Sequence, residues 1–183
     1  MPHARLPIAL LCVALFAVLP SCGGGGQYGY GREYQPLGEE QAYLRRTTET
    51  AYEEVRRARP EDQHFISWFG VVAEPPVTEN GVTRLVLSLR AHQDRHLCAE
   101  AGSETCRVTV SDREIARFTA LISERPEDAR EGELHLWTGS LVRIYGTSTG
   151  NDAADLPIIQ AEWYRHWPVH YYVTTAAAGS MRR

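Results

Sequence analysis

From Pro60 onward the apolar residues recur at every second position, and that period decides what the chain can fold into. In residues 82–91, Leu85, Leu87 and Leu89 fall on one face of an extended segment, and Arg84, Ser88 and Arg90 on the other. Such a strand cannot bury its apolar face alone, so it must join a sheet. Residues 65–73 read as the preceding strand, stopped by Glu74-Pro75-Pro76, and Glu79-Asn80-Gly81 carries the Asn-Gly signal of a tight hairpin. Residues 106–110 read as a third strand. Residues 115–122 fit two periods: Phe118, Leu121 and Ile122 suit a helix, while Phe118, Ala120 and Ile122 suit a strand. After a polar loop at 125–132, residues 134–145 contain two short strands or one broken at Gly139, and 157–164 form the last. Five or six short strands in residues 61–175 predict a mainly β (α+β) domain, a small closed or half-closed barrel. A disordered tail is expected at 176–183.

Ahead of the strands, residues 38–60 read as one amphipathic helix. Leu44, Thr48, Ala51, Val55 and Ala58 follow alternating steps of four and three, with Tyr52 beside them. Glu39 and Glu40 lie at its positive end and Arg56, Arg57 and Arg59 at its negative end, and Pro60 stops it. This helix is expected to cover one edge or face of the sheet, a partner-binding helix or short coiled coil being the rival reading.

Residues 1–21 have the build of a secretory signal peptide. Arg5 is a positive start, and residues 8–19 are an uncharged apolar run, too short for the roughly 20 residues that span a bilayer. The run ends Leu19-Pro20-Ser21-Cys22, which resembles a lipobox, the cleavage and acylation site of bacterial lipoproteins. The resemblance implies cleavage before Cys22, diacylglycerol on its thiol and a further acyl chain, of the palmitate class, on the new amino group. Two or more chains hold firmly because each buried CH₂ contributes about 0.8 kcal/mol. Residues 22–37, with Gly23 to Gly26 leading, are then a glycine-rich tether. Gly23 stands where Asp commonly retains Gram-negative lipoproteins in the inner membrane. The resemblance therefore implies the periplasmic face of the outer membrane.

Cys12 leaves with the leader and Cys22 takes lipid, so Cys98 and Cys106 remain as an even pair in an exported protein. They flank a polar loop between strand-like runs, and a disulfide across it is the expected reading, worth about 2.5 kcal/mol in the chain-entropy model. Zinc is the rival, with His92, His96, Cys98, Cys106, His166 and His170 as the right ligand types. Yet i,i+4 histidines converge on a helix and these flanks look like strands, so neither a metal nor another cofactor is expected.

Two further patterns touch on chemistry. Gly146-Thr147-Ser148-Thr149-Gly150 has the nucleophile-elbow spacing, with Asp152, Asp155 and His166 as paper partners, but a loop follows where the elbow needs a helix. Residues 163–172 interleave aromatics with Arg and His. Trp163, Arg165, His166 and Trp167 are the candidate ligand-binding residues, as a stacking platform for a sugar, peptide or base. The competing reading is a strand whose aromatics pack under the 38–60 helix, with Trp163 in the core and Trp167 partly exposed before Pro168. Arg90, His92, Arg95 and His96 read as a solvated polar cluster.

Residues 139–146, a glycine, an alternating strand and a second glycine, look like a hairpin common in OB-folds. With Phe69-Gly70-Val71-Val72 upstream and Leu156-Pro157-Ile158-Ile159 downstream, the order resembles the starvation-inducible outer-membrane lipoprotein family over about residues 65–168. That resemblance implies an OB-like β-domain behind a lipobox. The chain departs from the family in its Cys98/Cys106 insertion and its N-terminal helix. A net charge of −4, with all 19 basic residues arginine and scattered, argues against nucleic acid as a partner. The expectation is a membrane-anchored lipoprotein without catalytic activity, which binds an envelope protein or small ligand or serves a structural role. The alternative is a small hydrolase or metal-dependent envelope enzyme.

Overall fold

In the computed structural model, which describes residues 30–59, 61–98 and 107–178, the elements run in chain order as follows. Strand β1 (Tyr30–Glu33) precedes two short helices, α1 (Glu40–Leu44) and α2 (Tyr52–Arg57). Then come β2 (Phe65–Val72), β3 (Val77–Glu79), β4 (Val82–His92), β5 (Arg95–Cys98) and β6 (Val108–Ile122). A helical turn, α3 (Pro126–Ala129), leads to β7 (Leu141–Asn151), β8 (Pro157–Trp167), β9 (Tyr172–Thr174) and α4 (Thr175–Ala178). The leader, Cys22, the tether up to residue 29, Cys106 and the Cys98 side chain lie outside what is described. So do the lipidation and the disulfide expected there.

Asn80 and Gly81 both adopt left-handed backbone, φ 53° and 79°, as a two-residue hairpin turn requires, and Glu79 pairs with Val82 across it. Seven strands in the order β3-β4-β2-β7-β8-β6-β9 form one sheet, and β4 also pairs with β6, so the sheet bends back into a partial ring. Among the described residues the pairings are antiparallel except β6 with β8 and β6 with β9. β1 and β5 make a separate two-stranded ladder.

The period-two faces point into the ring. Ile66, Trp68 and Val72, Leu85, Leu87 and Leu89, Phe118, Ala120 and Ile122, and Val142 and Ile144 share one core. Each such large side chain contributes roughly 1.5–3 kcal/mol, against at most ~1 kcal/mol for a surface ion pair, so this face and not the arginine-rich exterior closes the sheet. The ambiguous segment 115–122 is strand: Ala120 is buried in the core, where the helical reading needs Leu121. It belongs to one 15-residue strand that also takes in Val108 and Val110. Bulges between Leu89 and His92 let β4 and β6 bend, so their far ends serve a second core of Phe69, Val108, Val110, Leu141 and Trp167. At the β7–β8 bulge a Cβ on Gly146 would stand 2.2 Å from the Gln160 carbonyl oxygen, so only glycine permits that approach.

Two expectations are corrected. The 38–60 segment is not one helix. Thr47 Oγ1 donates to the Leu44 carbonyl, Thr48 N–H donates to the Phe65 carbonyl, and Thr50 Oγ1 donates to the Thr48 carbonyl. These local bonds and the pull of the sheet edge break the helical ladder between α1 and α2. Residues 134–140 hold no strand, and β7 starts at Leu141. Of the expected tail, residues 176–178 fall in α4 and the rest lies outside the described residues.

Candidate functional site

Register builds the site before any side chain is considered. On the outer face of β2, β7 and β8, Ser67, Tyr145 and Trp163 form one cross-strand row. Phe69, Arg143 and Arg165 form the next, and Val71, Leu141 and Trp167 the third. Two guanidinium groups thus sit inside an aromatic frame. Arg143 lies 4.8 Å over the Phe69 ring and 4.9 Å over the Tyr145 ring, and Arg165 lies 4.7 Å over the Trp167 ring.

The segment from Tyr34 through α1 crosses this face and delivers Glu40 to it. Glu40 is fully buried, and five donors converge on its two oxygens. Oε1 accepts from Tyr34 OH, from Tyr145 OH at 2.6 Å and from Arg143 Nη1 at 3.3 Å. Oε2 accepts from Leu37 N at 3.0 Å and Arg165 Nη1 at 3.0 Å. Arg143 Nε also donates to Ser67 Oγ at 2.8 Å. Burial alone would raise the Glu40 pKa. The bonds from Tyr145, Tyr34 and Leu37 and the Arg165 charge outweigh it and hold the carboxyl below its ordinary range. The phenols respond in the opposite sense: burial and the carboxylate push Tyr34 up to about 12 and Tyr145 further still. Chemically this is a carboxylate receptor filled by the chain's own carboxylate.

Of the four residues expected to bind a ligand, Trp163, Arg165 and Trp167 share this face, and His166 points to the other side. Trp163 is half-buried and stacks on Tyr43 of α1, centroids 5.8 Å apart and planes 15° apart. Trp167 is only 9% exposed and packs with Phe69. The burial expected of the pair is therefore reversed, because Tyr34 and the second core close over the end of β8. Beside Trp163 an open cleft of about 150 Å³ remains, lined by Ser123, Arg125, Ala161, Glu162, Trp163 and Tyr164.

His166 belongs to a second network. Its Nδ1 lies 2.8 Å from Asp128 Oδ1, while Asp128 Oδ2 accepts from Tyr164 OH at 2.6 Å and Arg125 Nε at 2.9 Å. Burial raises the Asp128 pKa, but the bonds from His166 and Tyr164 and the Arg125 charge bring it down to about 2.

His92 and His96 are not solvated. The turn at 93–94 folds β5 back, bringing the two Nε2 atoms to 3.1 Å, so their i,i+4 spacing converges without a helix. His92 stacks on Phe69, centroids 4.4 Å apart, and Tyr34 meets both imidazoles edge-on. Burial, then the neighbouring His96 and Arg143, lower the His92 pKa from 6.5 to about 4. A lowered histidine disfavours protonation of the fold, so stability should climb between pH 4 and pH 6.5, by about 2 kcal/mol once the full shift is discounted for the solvent screening of a partly exposed ring. His92→Phe keeps the stack and should flatten that rise in urea titrations across the same window. An unchanged slope would refute the assignment.

Among the described residues no group of three or more His, Cys, Asp or Glu is placed to hold a metal. The nucleophile-elbow reading fails on geometry. Ser148 lies inside β7, where its Oγ accepts from the His64 N–H. It pairs with Ile159, while His166 pairs with Val142, about 20 Å away along the strand. Glu40, Arg143 and Asp128 escape a reading by sequence pattern. The available signal was an arginine on the outer face of each of two adjacent strands, which calls for a buried carboxylate partner. No family model, curated protein or solved structure matches the chain.

Proposed function

We propose that this chain is an exported lipoprotein, anchored by acyl chains on Cys22, whose OB-like β-domain has a non-catalytic binding or structural role in the cell envelope. The observation that carries the reading is the apolar leader ending in Leu19-Pro20-Ser21-Cys22. Gly23 favours the periplasmic face of an outer membrane. The strand pairing supports the OB-like part. Counting β2, β4, β6, β7 and β8 as first to fifth, the first pairs with the second and fourth, and the second with the third. The third and fifth are parallel, and the fourth and fifth antiparallel. That order suits a five-stranded, partly open Greek-key barrel.

The polar side chains on the aromatic face support a role without chemistry, because they are turned toward one another: Glu40 accepts from Arg143, Arg165, Tyr34 and Tyr145. Of the candidate ligand-binding residues, Trp163 alone borders the open cleft, so a small ligand or envelope protein is engaged there and not at Arg165, His166 or Trp167. The anchor is tested first. Wild-type protein should partition with membranes and yield an N-terminal peptide that begins at Cys22 and carries acyl mass. Cys22→Ser should accumulate with its leader intact. A mature N-terminus elsewhere, or a mature Cys22 without acyl mass, removes the reading.

A further inference from the structure

Two loops meet at the end of the sheet where β7 begins and β8 ends. Tyr171 OH donates to Glu133 Oε1 at 3.3 Å, Tyr172 OH donates to the Gly139 carbonyl at 2.8 Å, and the Val169 side chain lies against Gly139. On these loops stand four large apolar side chains with exposed surface: Leu134 at 57%, Trp137 at 48%, Val169 at 38% and Tyr171 at 45%. Trp137 is held in place. Its N–H donates to Ser140 Oγ, its carbonyl accepts from the Ser140 N–H, and the His135 ring stacks against it with centroids 5.4 Å apart. A fixed, outward-facing Trp beside a Tyr, Leu and Val is the composition that settles at a bilayer's headgroup level. The rim carries both signs, Arg107, whose Nη1 donates to the His170 carbonyl, and Glu133, so attraction by charge does not explain the patch.

The covalent path places this patch near a membrane. Tyr30 follows Cys22 by eight positions, and whatever the conformation of that stretch it spans at most about 29 Å. Tyr34, four residues further on, packs edge-on against Trp167 with centroids 6.5 Å apart, and Val169 follows Trp167 by two positions. The tether therefore joins the domain one short strand, about 13 Å, before a residue packed at the end of β8 that leads into the apolar loops.

We propose that Leu134, Trp137, Val169 and Tyr171 form a docking surface for the phospholipid bilayer that holds the anchor, so that the domain rests on the membrane instead of floating from it. This rests on the lipidation of Cys22. The test uses the acylated protein in phosphatidylethanolamine–phosphatidylcholine vesicles containing brominated acyl chains, and follows tryptophan fluorescence. The wild type should show a blue-shifted, bromine-quenched component that disappears in Trp137→Phe and shrinks in Leu134→Ser/Val169→Ser. Trp137 is exposed, so its conservative replacement leaves the fold intact. Protein that floats with the vesicles yet shows the same quenching with and without Trp137 overturns the docking surface and leaves the anchor standing. Protein that fails to float and lacks acyl mass overturns the anchor, and the docking surface with it. A dimer in detergent that shields Trp137 assigns the patch to a second copy and overturns the proposal.

Discussion

Replacing Glu40 by alanine should destabilise the domain by about 3–5 kcal/mol, the range for removing one partner of a buried ion pair. The loss comes from what stays behind and not from the bond removed. Arg143 and Arg165 are held inside the aromatic frame with side chains only 12% and 22% exposed, and without the carboxylate two positive charges face each other in a site poor in water. Tyr145, fully buried, loses the acceptor of its hydroxyl. Glu40→Gln keeps the volume and one acceptor oxygen, so its cost should fall between wild type and alanine. Arg165→Met should partly rescue Glu40→Ala by removing one stranded charge. Chemical denaturation of the four proteins measures this. Equal stability of wild type and Glu40→Ala would mean that the carboxylate does not hold the segment to the sheet. The pH dependence carries a definite sign. The folded carboxyl titrates below its unfolded value, so the contribution is present above pH 4.5 and is lost as pH falls through the lowered folded value. Glu40→Gln should lack that part of the acid transition.

Residues whose environment is set by their own strand were legible. Leu85, Leu87 and Leu89 share a face because a strand alternates, and the ring interior has only one side. Asn80-Gly81 announced its turn because few residues accept left-handed backbone twice in succession. The 38–60 segment misled because its stripe is genuine but its threonines bond locally and its edge joins the sheet, so tertiary contact overrode the helical period. Glu40 looked like an acidic residue favoured by a helix N-terminus. The same one-dimensional signal serves a residue in solvent and one aimed at two arginines more than a hundred positions away. His92 and His96 misled for a related reason: a two-residue bend between two strands makes four-apart residues neighbours as well as a helix does.

Asp128 shows the limit most plainly, because it sits in what reads as a polar loop. α3 turns it beneath the sheet, where His166, Tyr164 and Arg125 occupy both carboxylate oxygens and its side chain is 7% exposed. The loop is fixed in turn by the Leu136 N–H, which donates to the Asp128 carbonyl, and by Leu136 itself in the core. Asp128→Ala should therefore cost about 3–5 kcal/mol, since it strands a buried imidazole, a buried phenol and a guanidinium at once. Asp128→Asn retains acceptor capacity on one oxygen and should cost less. A carboxyl brought from 3.8 to about 2 stabilises the fold fully above pH 4 and loses that contribution as pH falls toward 2, an amount of about 2 kcal/mol. Stability measured by urea unfolding from pH 5 to pH 2 should fall less steeply in Asp128→Asn than in wild type. Parallel curves would show that the carboxylate titrates as it does in water, and the cross-link between α3 and β8 would lose its electrostatic basis.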